Sequence, residues 1–440
     1  MKKTKLSTFV TSAFVITLLC LRPGIARAGG EGFGKEVFRD TSKETFDSKQ
    51  TLDSKGDLGL GKFASFPFHV SVSVRGGYDD NPSLTQFDPQ GSFFTNVAIG
   101  ATYEFGSPRT RISLTSGAGF TYYFDRSDRF TGKSDNFDVN AYLGFAITHK
   151  VTPRLTVSAN LYATYQSQPD FQTFTNSNIG FSRQSQNFFF TVNKFSLGYA
   201  WTPRFSTVSS YTLGYTDYDD PIVSMFQDRF EHTFGNEFRF LVLPTTTLVA
   251  EYRFGIVDYT QTDRRNSTSH YLLAGVDHSF SPRFNISTRA GVEFRSYDDM
   301  GVFGTNGGDQ TSPYGELTLN YAIAQNTALS WTNRYSIEES NVPELLSRRT
   351  YRTAVSLRHN FTPRIVAGLN VAYQNDQYDG NIMTPGFNED AFDISLSVRY
   401  AINRNWAIDA GYTHTEVLSN ANLFREYSRN RYYLGATFTF

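Results

Sequence analysis

The chain has 440 residues with 41 Lys and Arg against 42 Asp and Glu, so it lacks the basic surplus that grips nucleic acid. Aromatic residues reach 16% while charged residues are only 19%, and after the first 28 positions no apolar run approaches the ~18 residues that a membrane helix needs. That combination points away from a soluble enzyme and toward strands that face lipid.

Residues 1–28 read as a cleaved signal peptide: Lys2, Lys3 and Lys5 are its basic start, Phe9–Leu21 its apolar stretch and Ala26-Arg27-Ala28 its cleavage site. Cys20, the single cysteine, falls inside it behind Leu19, too large for a lipoprotein box. The mature chain is therefore expected to lack a lipid anchor, a disulfide, a thiol nucleophile and a cysteine metal site. Removing the five basic residues of this segment leaves 36 Lys and Arg against 42 acids. Residues 29–65 are polar and do not alternate. They are expected to be a disordered periplasmic leader, or a lumen plug docked through Phe33, Val37, Phe38 and Phe46.

From residue 66 to residue 440 a turn signal recurs. Ser107-Pro108-Arg109, Thr152-Pro153-Arg154, Thr202-Pro203-Arg204, Ser281-Pro282-Arg283 and Thr362-Pro363-Arg364 begin 45, 50, 79 and 81 residues apart, so a unit of one hairpin is being counted out. Leu243-Pro244-Thr245-Thr246, Ala324-Gln325-Asn326 and Asn403-Arg404-Asn405 fill the remaining places. Proline presets the turn dihedral and lacks an N–H, which suits a turn or the first residue of a strand.

Behind each turn the side chains alternate. Leu155, Val157, Ala159, Leu161, Ala163 and Tyr165 are apolar, whereas Thr156, Ser158, Asn160, Thr164 and Gln166 are polar, with Tyr162 the exception. Ten residues of strand rise roughly 33 Å, and at about 40° of tilt they cover roughly 25 Å of membrane, the height of an outer-membrane apolar band. Eighteen strands are expected near 66–78, 92–106, 110–124, 135–150, 154–166, 185–201, 205–218, 228–242, 246–260, 268–280, 283–297, 312–323, 327–338, 348–361, 364–377, 391–402, 405–417 and 427–440. The fold class is thus all-β: a transmembrane antiparallel up-and-down β-barrel with short periplasmic turns and longer outer loops.

Opposite the apolar face lie Arg229, Glu231, Glu237, Arg239, Glu251, Arg253, Arg289, Glu293, Arg295, Arg352, Arg358, Asp393, Arg399, Asp409 and Arg431, the expected lumen lining. So many charges need water or partners, and a wet wall with mild selectivity is the expectation; a ladder of opposed charges is the alternative. Tyr78-Asp79-Asp80, Tyr218-Asp219-Asp220, Tyr297-Asp298-Asp299 and the reduced Tyr378-Asp379 open outer loops. They are read as polar turns rather than cation sites, and strand phase places Tyr78 outward and the other three tyrosines inward. His69, His149, His232, His270, His278, His359 and His414 are scattered without a catalytic or metal-binding spacing, so no enzyme, cofactor or metal is expected.

The final strand, with Tyr432, Leu434, Ala436, Phe438 and Phe440 on one face, resembles the C-terminal signal read by the barrel-assembly machinery of Gram-negative outer membranes. "RGGYDDNPSL" (75–84), with the repeated Tyr-Asp-Asp and Thr-Pro-Arg, is similar to a large family of β-barrel porins, some encoded beside polysaccharide-export genes. The resemblance covers about 66–440. It implies an outer-membrane, porin-like channel for passive diffusion of small hydrophilic solutes, or an accessory barrel of an export or secretion system. The partners it implies are outer-membrane lipid, lipopolysaccharide and the assembly machinery, with a homo-oligomer compatible and nucleic acid not expected.

Overall fold

The computed structural model describes residues 68–126, 136–167, 187–261, 265–298, 309–342, 345–380, 384–421 and 425–440. The expected signal peptide and leader lie outside them. Eighteen antiparallel strands follow in chain order: β1 (Phe68–Asp79), β2 (Ser92–Gly106), β3 (Thr110–Tyr123), β4 (Phe137–Lys150), β5 (Leu155–Gln166), β6 (Phe188–Ala200), β7 (Phe205–Tyr218), β8 (Arg229–Leu243) and β9 (Thr246–Tyr259) form the first half. The second half is β10 (Ser267–Ser281), β11 (Phe284–Tyr297), β12 (Gln310–Ala324), β13 (Thr327–Glu339), β14 (Ser347–Thr362), β15 (Ile365–Tyr378), β16 (Phe387–Ala401), β17 (Trp406–Ser419) and β18 (Tyr427–Thr439). Each strand pairs with its sequence neighbours, and β1 pairs with β18 from Ser71↔Thr439 to Asp79↔Arg431. The sheet closes on itself and leaves no edge.

The hydroxyl of the recurring triplet has a job at the turn. Thr152 Oγ1 accepts from the backbone N–H of Arg154 (3.2 Å) and of Leu155 (2.9 Å), Thr202 from Arg204 (3.3 Å) and Phe205 (3.0 Å), and Thr362 from Arg364 (3.2 Å) and Ile365 (3.0 Å). Ser107 Oγ accepts from Thr110 N–H at 2.9 Å. Each side chain accepts from backbone N–H groups of its own turn, while proline removes one donor. In the last turn Asn403 Oδ1 does the same for Asn405 and Trp406, both at 2.9 Å.

Cross-strand partners share a face. The face carrying Phe93, Phe120, Phe195, Phe234, Leu272 and Leu434 is exposed and apolar, as a lipid-facing wall must be. Tyr432 and Phe440 lie on that face as well. Where a large ring must lie flat against the inner wall, glycine makes room: a Cβ on Gly117 would meet the ring of Tyr142 at 2.5 Å, and one on Gly411 the ring of Tyr433 at 2.3 Å.

Two elements differ from the expectation. β16 begins at Phe387 rather than near 391, because Phe387 pairs with Tyr378 and stacks on its ring with centroids 4.2 Å apart. The connection after β7 contains a short helix, α1 (Pro221–Gln227). Asp220 caps it by accepting from Ile222 (2.8 Å) and Val223 (3.1 Å), and Pro221 occupies its first turn.

Candidate functional site

The inward face of the barrel is the candidate site. All fifteen charged residues expected there share the face opposite the lipid wall. The structure departs from the expected wet wall, however, because many of them are buried and paired. Arg229 and Arg289 are 1% and 3% exposed and Glu293 0%. Strong pairing is what permits this, since an unpaired charge would not tolerate such enclosure.

The central network spans β8 to β12. Arg239 bonds Glu237 and Asp277, both at 2.7 Å, and Arg289 bonds Asp277 at 2.9 Å while lying 3.4 Å from Glu237 and 3.5 Å from Glu251. Arg253 bonds Glu251 at 2.5 Å, Glu316 at 3.1 Å and the Tyr314 hydroxyl at 2.8 Å. Tyr314 in turn donates to Glu316 at 2.9 Å.

Nearer the outer mouth, Arg229 bonds Glu231 at 2.8 Å, and Arg295 bonds Glu293 at 3.0 Å and Glu339 at 2.6 Å. Ser269 (3.1 Å) and Tyr271 (2.9 Å) donate to Glu293, and Tyr259 donates to Glu339 at 2.7 Å. Across β13 to β15, Arg352 bonds Glu338 at 2.5 Å and Gln374 at 2.9 Å, and Arg348 bonds Asp376 at 2.8 Å. At the closing seam Arg75 bonds Asp409 at 2.8 Å, Thr437 donates to Asp409 at 2.7 Å, and Arg429 bonds Asp79 at 2.5 Å. Arg431 lies 4.0 Å from Asp79 with its guanidinium over the Phe94 ring, and Asp393 accepts from Thr415 at 2.7 Å.

Two of the fifteen stand apart. Arg358 is exposed and Arg399 half-buried, and neither makes an ion pair or hydrogen bond among the described residues. Arg399 is opposite Asp409 in register, but Arg75 engages that carboxylate. Lys194 on β6 is a third cation of this kind. Sequence reasoning did not assign Lys194, Asp277, Glu316, Glu338, Glu339, Arg348 and Asp376 to the lumen and read Asp79 as part of a polar turn; the same alternation applied to every strand would have found all but Glu339, which follows Glu338 and is out of phase with it.

An apolar cluster also crosses the lumen. Tyr162, Phe188, Phe190, Val192 and Tyr218 from β5–β7 form one buried cluster with Ala391, Val417 and Tyr427 from β16–β18, and Leu84, Tyr142 and Val223 pack against it. Tyr162, the exception in its strand's alternation, is thus an inward contact residue. Leu84 has φ 54°, a left-handed conformation unfavourable to a branched side chain, and its place in the first outer connection is held by Asn81, whose Oδ1 accepts from Thr85 N–H at 2.9 Å.

The outer connections interlock above this cluster. Gln227 at the end of α1 donates to the Ser340 carbonyl at 3.3 Å, and Arg265 donates to the same carbonyl at 2.5 Å. Asn341 accepts from Tyr378 at 2.7 Å and from Arg425 at 2.9 Å. The Tyr-Asp-Asp motifs serve this structure: Tyr78 is exposed, Tyr218, Tyr297 and Tyr378 are buried, and Asp80 accepts from Asn430 N–H at 2.6 Å. Asp299 lies outside the described residues.

The folds of several solved porins are similar at low identity. OccAB4 of Acinetobacter baumannii is 11% identical, covering 85% of this chain and 98% of that one with a TM-score of 0.41. OccK1 (OpdK) of Pseudomonas aeruginosa is 10% identical, covering 85% and 99% with a TM-score of 0.43, and OccK9 (OpdG) of the same organism is 10% identical, covering 85% and 98% with a TM-score of 0.43. No curated protein matches the sequence. Residues 58–440 match the family described as "Putative beta-barrel porin 2", a match that takes in every strand of the barrel, and the chain belongs to that family of outer-membrane porins.

Proposed function

We propose that the protein passes small hydrophilic solutes across the outer membrane by passive diffusion, through a lumen whose packed outer half must rearrange for transport. The supporting observation is the division of the inner wall. β8–β15 carry most of the closed Arg–carboxylate networks, whereas, apart from Arg75 and Asp79 at the closing seam, the inward positions of β1–β4 are largely small, among them Ser71, Ser73, Ala98, Ser113, Thr115 and Gly144. Small side chains leave room for a solute, and the free cations Lys194, Arg358 and Arg399 stand on the inward faces of β6, β14 and β16. The expected lumen residues thus divide by role: the paired ones hold the wall, and the free ones meet the solute.

A second reading, an accessory barrel of an export or secretion system, draws support from the apolar cluster across the lumen. Planar-bilayer recording separates the two. The channel reading expects small, intermittent conductance from the intact protein and severalfold larger conductance from Phe190→Ala, which removes a ring from the cluster. Silence from both proteins, each shown to be folded by heat-modifiable migration, would leave the accessory reading. In this proposal Tyr432, Leu434, Ala436, Phe438 and Phe440 present the outward face read by the assembly machinery, and lipopolysaccharide surrounds the outer rim.

A further inference from the structure

Charge is distributed unequally between the two ends of the barrel. The nine outer connections contain sixteen Asp and Glu against seven Lys and Arg, whereas the eight short turns contain no acid and six arginines: Arg109, Arg154, Arg204, Arg283, Arg364 and Arg404. All six are exposed, and their guanidinium groups make no ion pair or hydrogen bond among the described residues. Lys150, at the foot of β4, is equally exposed and unpaired.

The cations occupy the turns β2–β3, β4–β5, β6–β7, β10–β11, β14–β15 and β16–β17, so they encircle the rim instead of forming a patch. Just above them the lipid-facing wall carries exposed Phe105, Trp201, Phe280, Phe361, Trp406 and Phe440, a belt of the kind that sits at headgroup depth. At the same level, three strand pairs repeat a hydroxyl–imidazole contact. Thr110 meets His149 Nδ1, Thr246 meets His278 Nδ1 and Thr327 meets His359 Nδ1, each at 2.8 Å. A soluble partner would need its charges gathered on one side, whereas a ring of unpaired guanidiniums next to an aromatic belt fits a ring of lipid.

We infer that this rim binds the phosphodiester headgroups of anionic phospholipids in the leaflet facing the periplasm. Guanidinium donates in parallel to two phosphate oxygens, and the turns themselves hold no carboxylate to compete with a lipid phosphate. The assignment is independent of solute passage, since it concerns only the outside of the barrel.

The built-in reporters Trp201 and Trp406 lie at the rim beside Arg204 and Arg404, and Trp331→Phe removes the remaining tryptophan. The full-length barrel carrying that substitution is reconstituted with brominated phosphatidylglycerol or brominated phosphatidylcholine, and tryptophan quenching gives the relative binding constant. The expected preference for the anionic lipid is roughly fivefold at low salt and approaches one at ~1 M salt, where the screening length is about 3 Å. Replacing the six arginines by glutamine should abolish the preference while heat-modifiable migration persists. Equal quenching by the two lipids in the intact rim, as expected if the arginines serve an acidic periplasmic protein, overturns the inference. So does a preference that survives the glutamine substitutions, and the salt titration of the intact rim decides the matter if that variant does not fold.

Discussion

Glu237 on β8 and Glu251 on β9 are direct cross-strand partners on the inner wall, two buried carboxylates on one level, with the Arg289 guanidinium 3.4 Å from one and 3.5 Å from the other. Like charges placed so would repel, and Arg239, Arg253 and Arg289 make the arrangement tenable. The inner wall of β8–β12 is therefore a folded core in ionic form. Replacing its arginines together, harmless on a wet wall, would here unmake the core.

Arg289→Met keeps most of the side-chain length and removes the charge. It should lower stability by about 3–5 kcal/mol, because the buried carboxylates around it lose their partner. Urea unfolding in lipid vesicles measures this, and adding Glu237→Gln should restore part of the loss. Wild-type unfolding by Arg289→Met would show that the network does not hold the wall.

The two faces of β5 make a second test. Leu161 is on the lipid-facing side, while Asn160 faces inward opposite Lys194. Leu161→Arg should cost about 2–4 kcal/mol, whereas Asn160→Glu should stay within about 1 kcal/mol because it gains a cation directly across the ladder. The same unfolding assay reads both, and equal damage from the two would contradict the assigned phase.

Selectivity should depend on the cations that lack partners. Lys194→Glu, Arg358→Glu and Arg399→Glu combined should move the reversal potential in a salt gradient toward cation preference, with heat-modifiable migration preserved. An unchanged reversal potential in a conducting variant would remove these three from the solute path.

The outer connection after β7 should respond to pH. Asp228 is enclosed where α1 meets β8, accepting from Ser224 Oγ at 2.6 Å and from Tyr218 N–H at 2.9 Å. Burial pushes its carboxyl up from 3.8 to about 7, outweighing these two hydrogen bonds, and the nearby Asp217 adds to the rise. A carboxyl raised in the folded state favours folding when protonated. Its contribution is complete below the ordinary value of 3.8 and is lost as pH rises through about 7. Protection of residues 219–228 against hydrogen exchange, measured relative to the intrinsic amide exchange rate at each pH, should fall between about pH 4 and pH 7, and Asp228→Asn should flatten that profile.

Strand number, turn positions and the choice of lipid-facing residues were legible in the sequence because they are local. Period-two alternation depends only on the pleat, a ten-residue span depends only on bilayer thickness, and a Thr-Pro-Arg turn is capped by its own hydroxyl. The inward placement of Tyr218, Tyr297 and Tyr378 followed from the same counting. The sequence could also be read for the charged character of the inner face, though not for its state. Whether Arg289 meets water or carboxylates depends on the shear of β8 against β9, β10 and β11, and whether Tyr162 and Val417 fall in one cluster depends on how the closed sheet brings β5–β7 toward β16–β18 across the lumen. Those distances arise only when all eighteen strands have paired and the ring has closed, so only the tertiary structure could decide that the inner wall is packed and largely neutralised.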